Sequence, residues 1–591
     1  MKIKFNIISL MIVLVSIIST TSCSLEEDPK YSLNSETVFN SESTAEAVIM
    51  QNYGWLGAQP LYGQFIHEIN IANGVFWSKT DGDRLERSIK YDYYQEHPLL
   101  NSMWTGFYRV ISEGTYLAKG LEGSSLSQAY KTRGIAHARF LRGFAYFQLA
   151  NLFGKAAIIT EPLSSTNLHT PLSERAQVYE QALNDLIFAA ENLPATESMK
   201  GLATKDAANA FVAKCYWMMA NQSQADGKDA TALYTLAKTY GDKAIGKFTL
   251  SPKFSDLWLT HTNNLESIFQ INFTDAIGIN LRTSFNFGPT AGSYGRIAAA
   301  QPSFGNIKID RAFYDLHRGT YSDDPRLAST YLSKWVNNTS AATQNQTYYA
   351  YPLYNTGTAI APVVYDMYAS APRNAGNTAT NPDYNFAAGT TMPNGLRNLW
   401  NNTSVGDRNI HPLNNKMLST VMANAQYDPK NLIVFRYADL LLLMADVENE
   451  LGNGGQALTY LNQVLTRART SVAGAVYPQV QTALSKDAMR DKIFFERMFE
   501  LAGEPNLFED IRRRGTTYLK KVMELHNNSK NIQYRINIEV TNNVGGQYKD
   551  YLINNGNLTE DFLKKNLLLP IPLDEINNND KVFPEDQNFG Y

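Results

Sequence analysis

Cysteine is almost absent: Cys23 and Cys215 are the only 2 in 591 residues. With Cys23 assigned to another role below, no intramolecular disulfide is possible, and stability falls to the hydrophobic core. Cys215 lies in the apolar run 210–220, where a packed thiol is expected and not a nucleophile. An excess of charge of one sign is also missing. The 53 Lys and Arg against 56 Asp and Glu leave a net charge of −3, which excludes the basic footprint of a nucleic-acid binder. No His-Glu-x-x-His, Walker-type phosphate loop, Gly-x-Ser-x-Gly or Cys/His metal spacing occurs, and the 8 His are scattered. No catalytic residue, metal ligand set or cofactor is therefore assigned. Asp81-Gly82-Asp83 and Asp323-Asp324 do not match a calcium loop of the EF-hand type and read as turns. A pair of carboxylates set for glycoside hydrolysis leaves no signature among 56 acids, so a surface glycoside hydrolase stays open as an alternative.

The N-terminal apolar run, Phe5 to Ile18, is too short for a membrane span. It follows Lys2 and Lys4, the layout of an export signal. Thr20, Thr21 and Ser22 then precede Cys23, the arrangement of a bacterial lipoprotein signal. Residues 1–22 are expected to be removed and Cys23 to be lipidated, although Thr20 stands where Leu is usual. The following Glu26-Glu27-Asp28 reads by charge alone as a solvated linker.

What remains is rich in helical periodicity. Leu126 to Phe153 carries Phe140, Leu141, Phe144, Phe147 and Leu152 as a broad apolar stripe and stops at Gly154. Further helices are predicted over Ala176–Asn192, Asp206–Met219 and Ala232–Ile245, with short polar connections. After residue 430 the rhythm returns. Leu432 to Leu451 is apolar nearly all round and predicts a buried helix, Gly452 to Gly455 a turn, and Gln456 to Arg469 a second helix. The fold class is therefore mainly α: a tetratricopeptide-like helical-repeat scaffold without a strict period, with long loop-rich insertions and a few short strands. Residues 23–591 read as a single domain, with a helical part (24–250), loop-rich insertions (251–430) and a second helical part (431–591). In the insertions Asn, Thr, Gly, Tyr and Pro dominate, and Ser267 to Phe273 predicts a strand. Aromatics make up 12% of the chain, with 34 Tyr, which suits a wet surface that stacks on a neutral, carbohydrate-like ligand.

These residues resemble the SusD/RagB family of nutrient-binding outer-membrane lipoproteins of the Bacteroidota. The similarity runs through 139–147 (Arg-Phe-Leu-Arg-Gly-Phe-Ala-Tyr-Phe), Phe153-Gly154, Thr160-Glu161-Pro162-Leu163, Val178-Tyr179-Glu180 with Asp185-Leu186, and Trp104 with Tyr108. It continues in 435–445 (Phe-Arg-Tyr-Ala-Asp-Leu-Leu-Leu-Leu-Met-Ala), Arg490-Asp491-Lys492-Ile493, Glu496-Arg497 and Glu500-Leu501, and ends at Leu569-Pro570-Ile571-Pro572 and 587–591. Three departures stand out: Ala157 for Pro, Gly503-Glu504-Pro505-Asn506 for Glu-Gly-x-Arg, and Phe589 for Pro. The resemblance implies a non-catalytic protein that captures oligosaccharide, or in some members peptide, and delivers it to a SusC-like TonB-dependent transporter as its lid. It also implies lipid anchoring of Cys23 in the outer membrane, facing the exterior, with Glu26-Glu27-Asp28 as the signal for that face.

Ligand contacts are expected from the variable loops, where a ring can lie flat on the C–H face of a sugar while polar side chains bond its hydroxyls. One stretch is Asn73 to Tyr94, with Trp77 as the leading platform and Asp81, Arg84 and Tyr91 beside it. The other is Tyr294 to Tyr368, with Tyr294, Arg296, Trp335 and Tyr349. Trp258 is expected in the core. Arg436, Asp439, Glu496, Arg497, Glu500, Arg512 and Arg513 are expected to pair internally between packed helices and not to form an active site.

Overall fold

The computed structural model describes residues 38–78, 83–165, 168–258, 265–273, 306–336, 347–351, 353–355, 364–366, 411–418, 430–529 and 551–591. Its longer helices in the first part are α1 (Glu42–Leu56), α2 (Asp83–Lys90), α3 (Pro98–Gly123), α4 (Gln128–Leu152), α5 (Arg175–Asn192), α6 (Lys205–Ala225) and α7 (Thr231–Ala244). Then follow α8 (Arg311–Thr320), α9 (Pro325–Thr330), α10 (Tyr437–Glu450), α11 (Gly454–Thr470), α12 (Lys486–Leu501) and α13 (Gly515–Asn527). Their ends follow local chemistry. Pro98 opens α3 where its missing N–H costs nothing, and the side chains of Thr204 and Ser485 cap α6 and α12 by accepting from Ala207 and Ala488. Gly154, at φ 77°, takes the left-handed turn that ends α4, and a Cβ there would also meet Leu568 at 2.8 Å.

Consecutive helices from α3 to α7 pack on one another, as do α10 with α11 and α10 with α12. Helix α7 packs on α10 and so joins the two helical parts. One continuous core runs through both, centred on rings that meet edge to face: Phe211 lies 5.6 Å from Phe140, 5.4 Å from Phe144 and 5.2 Å from Phe435. The chain is mainly α, as the periodicity predicts, with short strands. One expectation is corrected. The apolar run from Leu432 does not form a single helix: Leu432–Arg436 is a strand, and only Tyr437 onward is helical. A buried strand and a buried helix both read as unbroken apolar runs, so periodicity cannot separate them. The strand partner is Ser267–Ile271, a pairing with a bulge near Phe435.

The other labelled strands are β1 (Phe76–Ser78), β2 (Ser267–Ile271), β3 (Ile307–Ile309), β4 (Lys334–Val336), β5 (Thr347–Tyr349), β6 (Leu353–Asn355), β7 (Val364–Asp366) and β8 (Leu432–Arg436). Each joins a two-stranded antiparallel ladder: β1 with β3, β2 with β8, β4 with β5, β6 with β7. Strand pairs this small need a scaffold to hold them, and here buried charge does so. Arg436 donates to Glu504 at 2.9 Å, Glu266 at 2.7 Å and Glu500 at 2.7 Å. Arg326 of α9 reaches Glu496 at 2.7 Å and Glu500 at 2.9 Å, and Lys416 reaches Glu504 at 2.8 Å. All of these groups are buried. The network ties segments 324–326 and 416 of the insertions to β8 and α12. Burial pulls the Lys416 ammonium down to about 8, against the Glu504 charge. Of the charged residues expected to pair internally, all but Arg512 do so: Asp439 binds Arg497 at 2.6 Å, and Arg497 and Arg513 share Asp510. Arg512 bonds backbone carbonyls, among them Asn566 at 2.7 Å. Trp258 is half-buried, with the Lys416 ammonium 4.8 Å from its ring.

Candidate functional site

The two predicted loop stretches are brought together by β1, β3 and the segment 411–414. Antiparallel pairing sets Ser78 opposite Ile307, so the chain leaves β1 and enters β3 at the same end. One strand of this ladder belongs to the first predicted stretch and the other to the second. The segment 411–414 lies across this framework, with Pro412 accepting from the Ile309 N–H at 2.9 Å and Leu413 pairing with Leu332.

The structure corrects the role of three predicted residues. Trp77 is fully buried and stacks on His411, with ring centroids 4.4 Å apart and an interplanar angle of 16°. Trp335 is buried as well, packed with Ala350 and Leu413. Both tryptophans thus clamp the segment 411–414 from within and have no face to offer a ligand. Tyr91 is also buried. It sits at φ 56° directly after α2, a left-handed residue at a helix end: its N–H donates to the Ser88 carbonyl, and the Asp92 N–H to that of Arg87 at 2.9 Å. Gly or Asn usually fills that place, and here the buried ring, 5.6 Å from the Arg512 guanidinium, holds a bulky residue there. Burial pushes its phenol up to about 12.

Tyr91 turns the chain back over the last turn of α2, where Tyr94, a residue of the first predicted stretch, meets two groups that the sequence did not single out, Arg87 and Asp92. Arg87 donates to Asp92 at 2.8 Å, and its guanidinium lies 4.6 Å from the ring centroid of Tyr94. Tyr94 is half-buried and meets His97 edge-on at 5.3 Å, while the Asp92 side chain is 55% exposed and open to a ligand. A ring, a guanidinium and a carboxylate are therefore held together at the surface, and α2 packs on β1 beside the framework. The sequence signal for Arg87 and Asp92 was available only as their position at a helix end ahead of Tyr94.

Of the remaining predicted contacts, Arg84 lies on α2 and Tyr349 on β5, opposite Lys334. Asp81, Tyr294, Arg296 and the lipidation residue Cys23 lie outside the described residues. Behind the site, Asp310 caps α8 by accepting from the Ala312 N–H at 2.7 Å and takes His526 of α13 at 2.6 Å. Burial would raise the Asp310 carboxyl, but the imidazole more than offsets it and holds the group below the usual carboxylate range. Among the described residues no group of three His, Cys, Asp or Glu is placed to hold a metal ion. Also among them, no helix is long and apolar enough to cross a membrane.

Comparison with known proteins agrees with this architecture. A curated SusD-like protein of Formosa agariphila is 24% identical over 515 residues, covering 84% of this chain and 88% of that one. A SusD homolog of Bacteroides thetaiotaomicron superposes with a TM-score of 0.72 at 18% identity, covering 94% of this chain and 98% of the other. A laminarin-binding SusD-like protein superposes with a TM-score of 0.61 at 20% identity, covering 94% and 100%. The family model described as "Starch-binding associating with outer membrane" matches residues 25–217. The SusD family model matches residues 217–591, more than half of the chain, and the protein belongs to the SusD family.

Proposed function

We propose that this protein captures oligosaccharide at the outer face of the outer membrane, leaves it intact, and delivers it to a SusC-like TonB-dependent transporter. The observation that carries the reading is the convergence of the two loop stretches on the β1–β3 framework, beside the Arg87, Asp92 and Tyr94 cluster. Family membership and a structural neighbour that binds laminarin support it. The Tyr94 ring covers the C–H face of a sugar; Arg87, Asp92, Asp81, Arg84 and Arg296 bond its hydroxyls, and Tyr294 and Tyr349 extend the aromatic surface. Trp77, Trp335 and Tyr91 position these groups without touching the ligand. Affinity is modest, roughly −8 to −4 kcal/mol, because ligand hydrogen bonds mostly replace those to water. Lipid on Cys23 holds the protein at the membrane, with more than one acyl chain for stable anchoring.

Affinity electrophoresis through gels cast with laminarin, starch, xylan and host glycans tests the reading, with chromatography of each glycan after long incubation. Retardation by one glycan class that is recovered uncut supports capture. Recovered cleavage products would establish a hydrolase, and binding of a peptide digest alone would change the ligand class.

A further inference from the structure

Helices α3, α4 and α5 form a second recess, whose lining contains none of the residues named above for the loop site. We propose that this cleft is an accessory carbohydrate subsite, a reading that rests on the carbohydrate ligand argued above. Its volume is about 640 Å³, within the range of ligand pockets, roughly 300–1,000 Å³. Helix α4 forms the floor, α3 and α5 the walls, and Thr160 with Glu161 closes one end.

The floor is built and not incidental. Arg139 and Arg142 share the fully buried Asp185, through Arg139 Nε at 2.8 Å and Arg142 Nε and Nη2 at 2.8 Å each. Arg142 is completed by Thr115 Oγ1 at 3.1 Å. Arg139 is fixed from two further sides: its guanidinium lies 4.2 Å from the Phe188 ring, and Nη2 meets the Asn184 carbonyl at 3.3 Å. Its Nη1 takes no acceptor among the described residues, and the side chain is 27% exposed. A rigid donor is thus offered to solvent in the lining of the cleft at little entropic cost. Around it the rim carries acceptors, Glu122, Glu161 and Glu191, and the one rim ammonium, Lys119, is already held by Glu161 at 3.1 Å.

This pattern selects a ligand that both accepts and donates at closely spaced points. A sugar hydroxyl does so, accepting from Arg139 Nη1 while donating to a rim carboxylate. The apolar remainder of the lining, Ile135, Ile187 and Phe188, matches a C–H face. A fully anionic ligand meets three rim carboxylates, and a cationic one meets two floor guanidiniums.

The test is calorimetric titration of the detergent-solubilised full chain with laminarin, starch and xylan oligosaccharides and a tryptic peptide digest. Variants are Arg139→Gln, Asn184→Trp and Tyr94→Ala. Asn184 is exposed on α5 and makes no buried pair through its side chain, so its tryptophan fills the cleft without disturbing Asp185. We expect two sites per chain. Asn184→Trp removes one and leaves the other unchanged, Arg139→Gln weakens the same one about tenfold, and Tyr94→Ala weakens only the other. A stoichiometry untouched by Asn184→Trp overturns the cleft and spares the loop reading. Loss of all sugar binding in Asn184→Trp with Tyr94→Ala silent keeps the cleft and overturns the loop site. Sugar binding absent in the parent overturns both, and peptide binding lost in Asn184→Trp in place of sugar overturns the ligand class.

Discussion

Trp77 and Tyr94 show how two aromatic residues of one stretch acquire opposite roles. Trp77 sits in a three-residue strand whose partner comes from Ile307–Ile309, and the pairing buries its ring against His411. Nothing local in the sequence announces that long-range partner, which is why a loop composition suggested a platform. Tyr94 stays at the surface because the left-handed Tyr91 reverses the chain over α2. The consequences differ in the same way. Trp77→Ala is expected to lose about 3–5 kcal/mol of stability, as for other large buried rings, seen as a lowered urea midpoint. Tyr94→Ala, at a half-buried ring, is expected to cost only about 1 kcal/mol of stability and to weaken glycan binding about tenfold, or about 1.4 kcal/mol. A Tyr94→Ala protein with parental affinity would remove Tyr94 from the site.

At the scale of elements, the helices were legible wherever an apolar stripe alternated with a polar face, as in α4 and α5, because such a stripe has only one structural explanation. The strand β8 was not, because Leu432–Arg436 and the following α10 are both buried on all sides. What separates them is Arg436, whose extended backbone, φ −137° and ψ 164°, aims its guanidinium at Glu266, Glu500 and Glu504. That network ties 324–326 and 416 to β8 and α12, so Glu500→Gln is expected to cost roughly 3–5 kcal/mol by leaving buried guanidiniums undercompensated, and to increase proteolysis within 306–336. Glu509 gives a pH-dependent counterpart. Burial raises its carboxyl from 4.5 to about 7. Between those values the folded chain binds more protons than the unfolded one, so this group lowers stability as pH rises from about 4.5 to about 7 and leaves it low above. Glu509→Gln is therefore expected to match the parent near pH 5 and to exceed it by roughly 3 kcal/mol at pH 8. Equal urea midpoints at both pH values would contradict the buried, protonated carboxyl.

For the whole molecule, the family and the helical scaffold were readable because their residues are spread along the chain and each is fixed by packing. The proposed ligand face was readable only as a composition: Asn, Tyr and Gly mark loops, and they do not reveal which rings turn inward. The sequence offered the two stretches separately, with nothing to show that β1 of one pairs with β3 of the other, and their tryptophans pack against 411–414 instead of facing solvent. Anchoring is a property of the same scale. Cys23→Ala is expected to move the protein from the membrane fraction to the soluble fraction and to abolish incorporation of labelled palmitate; retention at the membrane would argue for a different anchor. The central claim, that both loop stretches build one sugar site, is tested most directly by titrating the best-binding glycan into Tyr94→Ala, Arg296→Ala and the double variant. Each single change is expected to weaken the same binding event and the double change to be non-additive, as for neighbours on one ligand. Unchanged affinity in both single variants would contradict the claim.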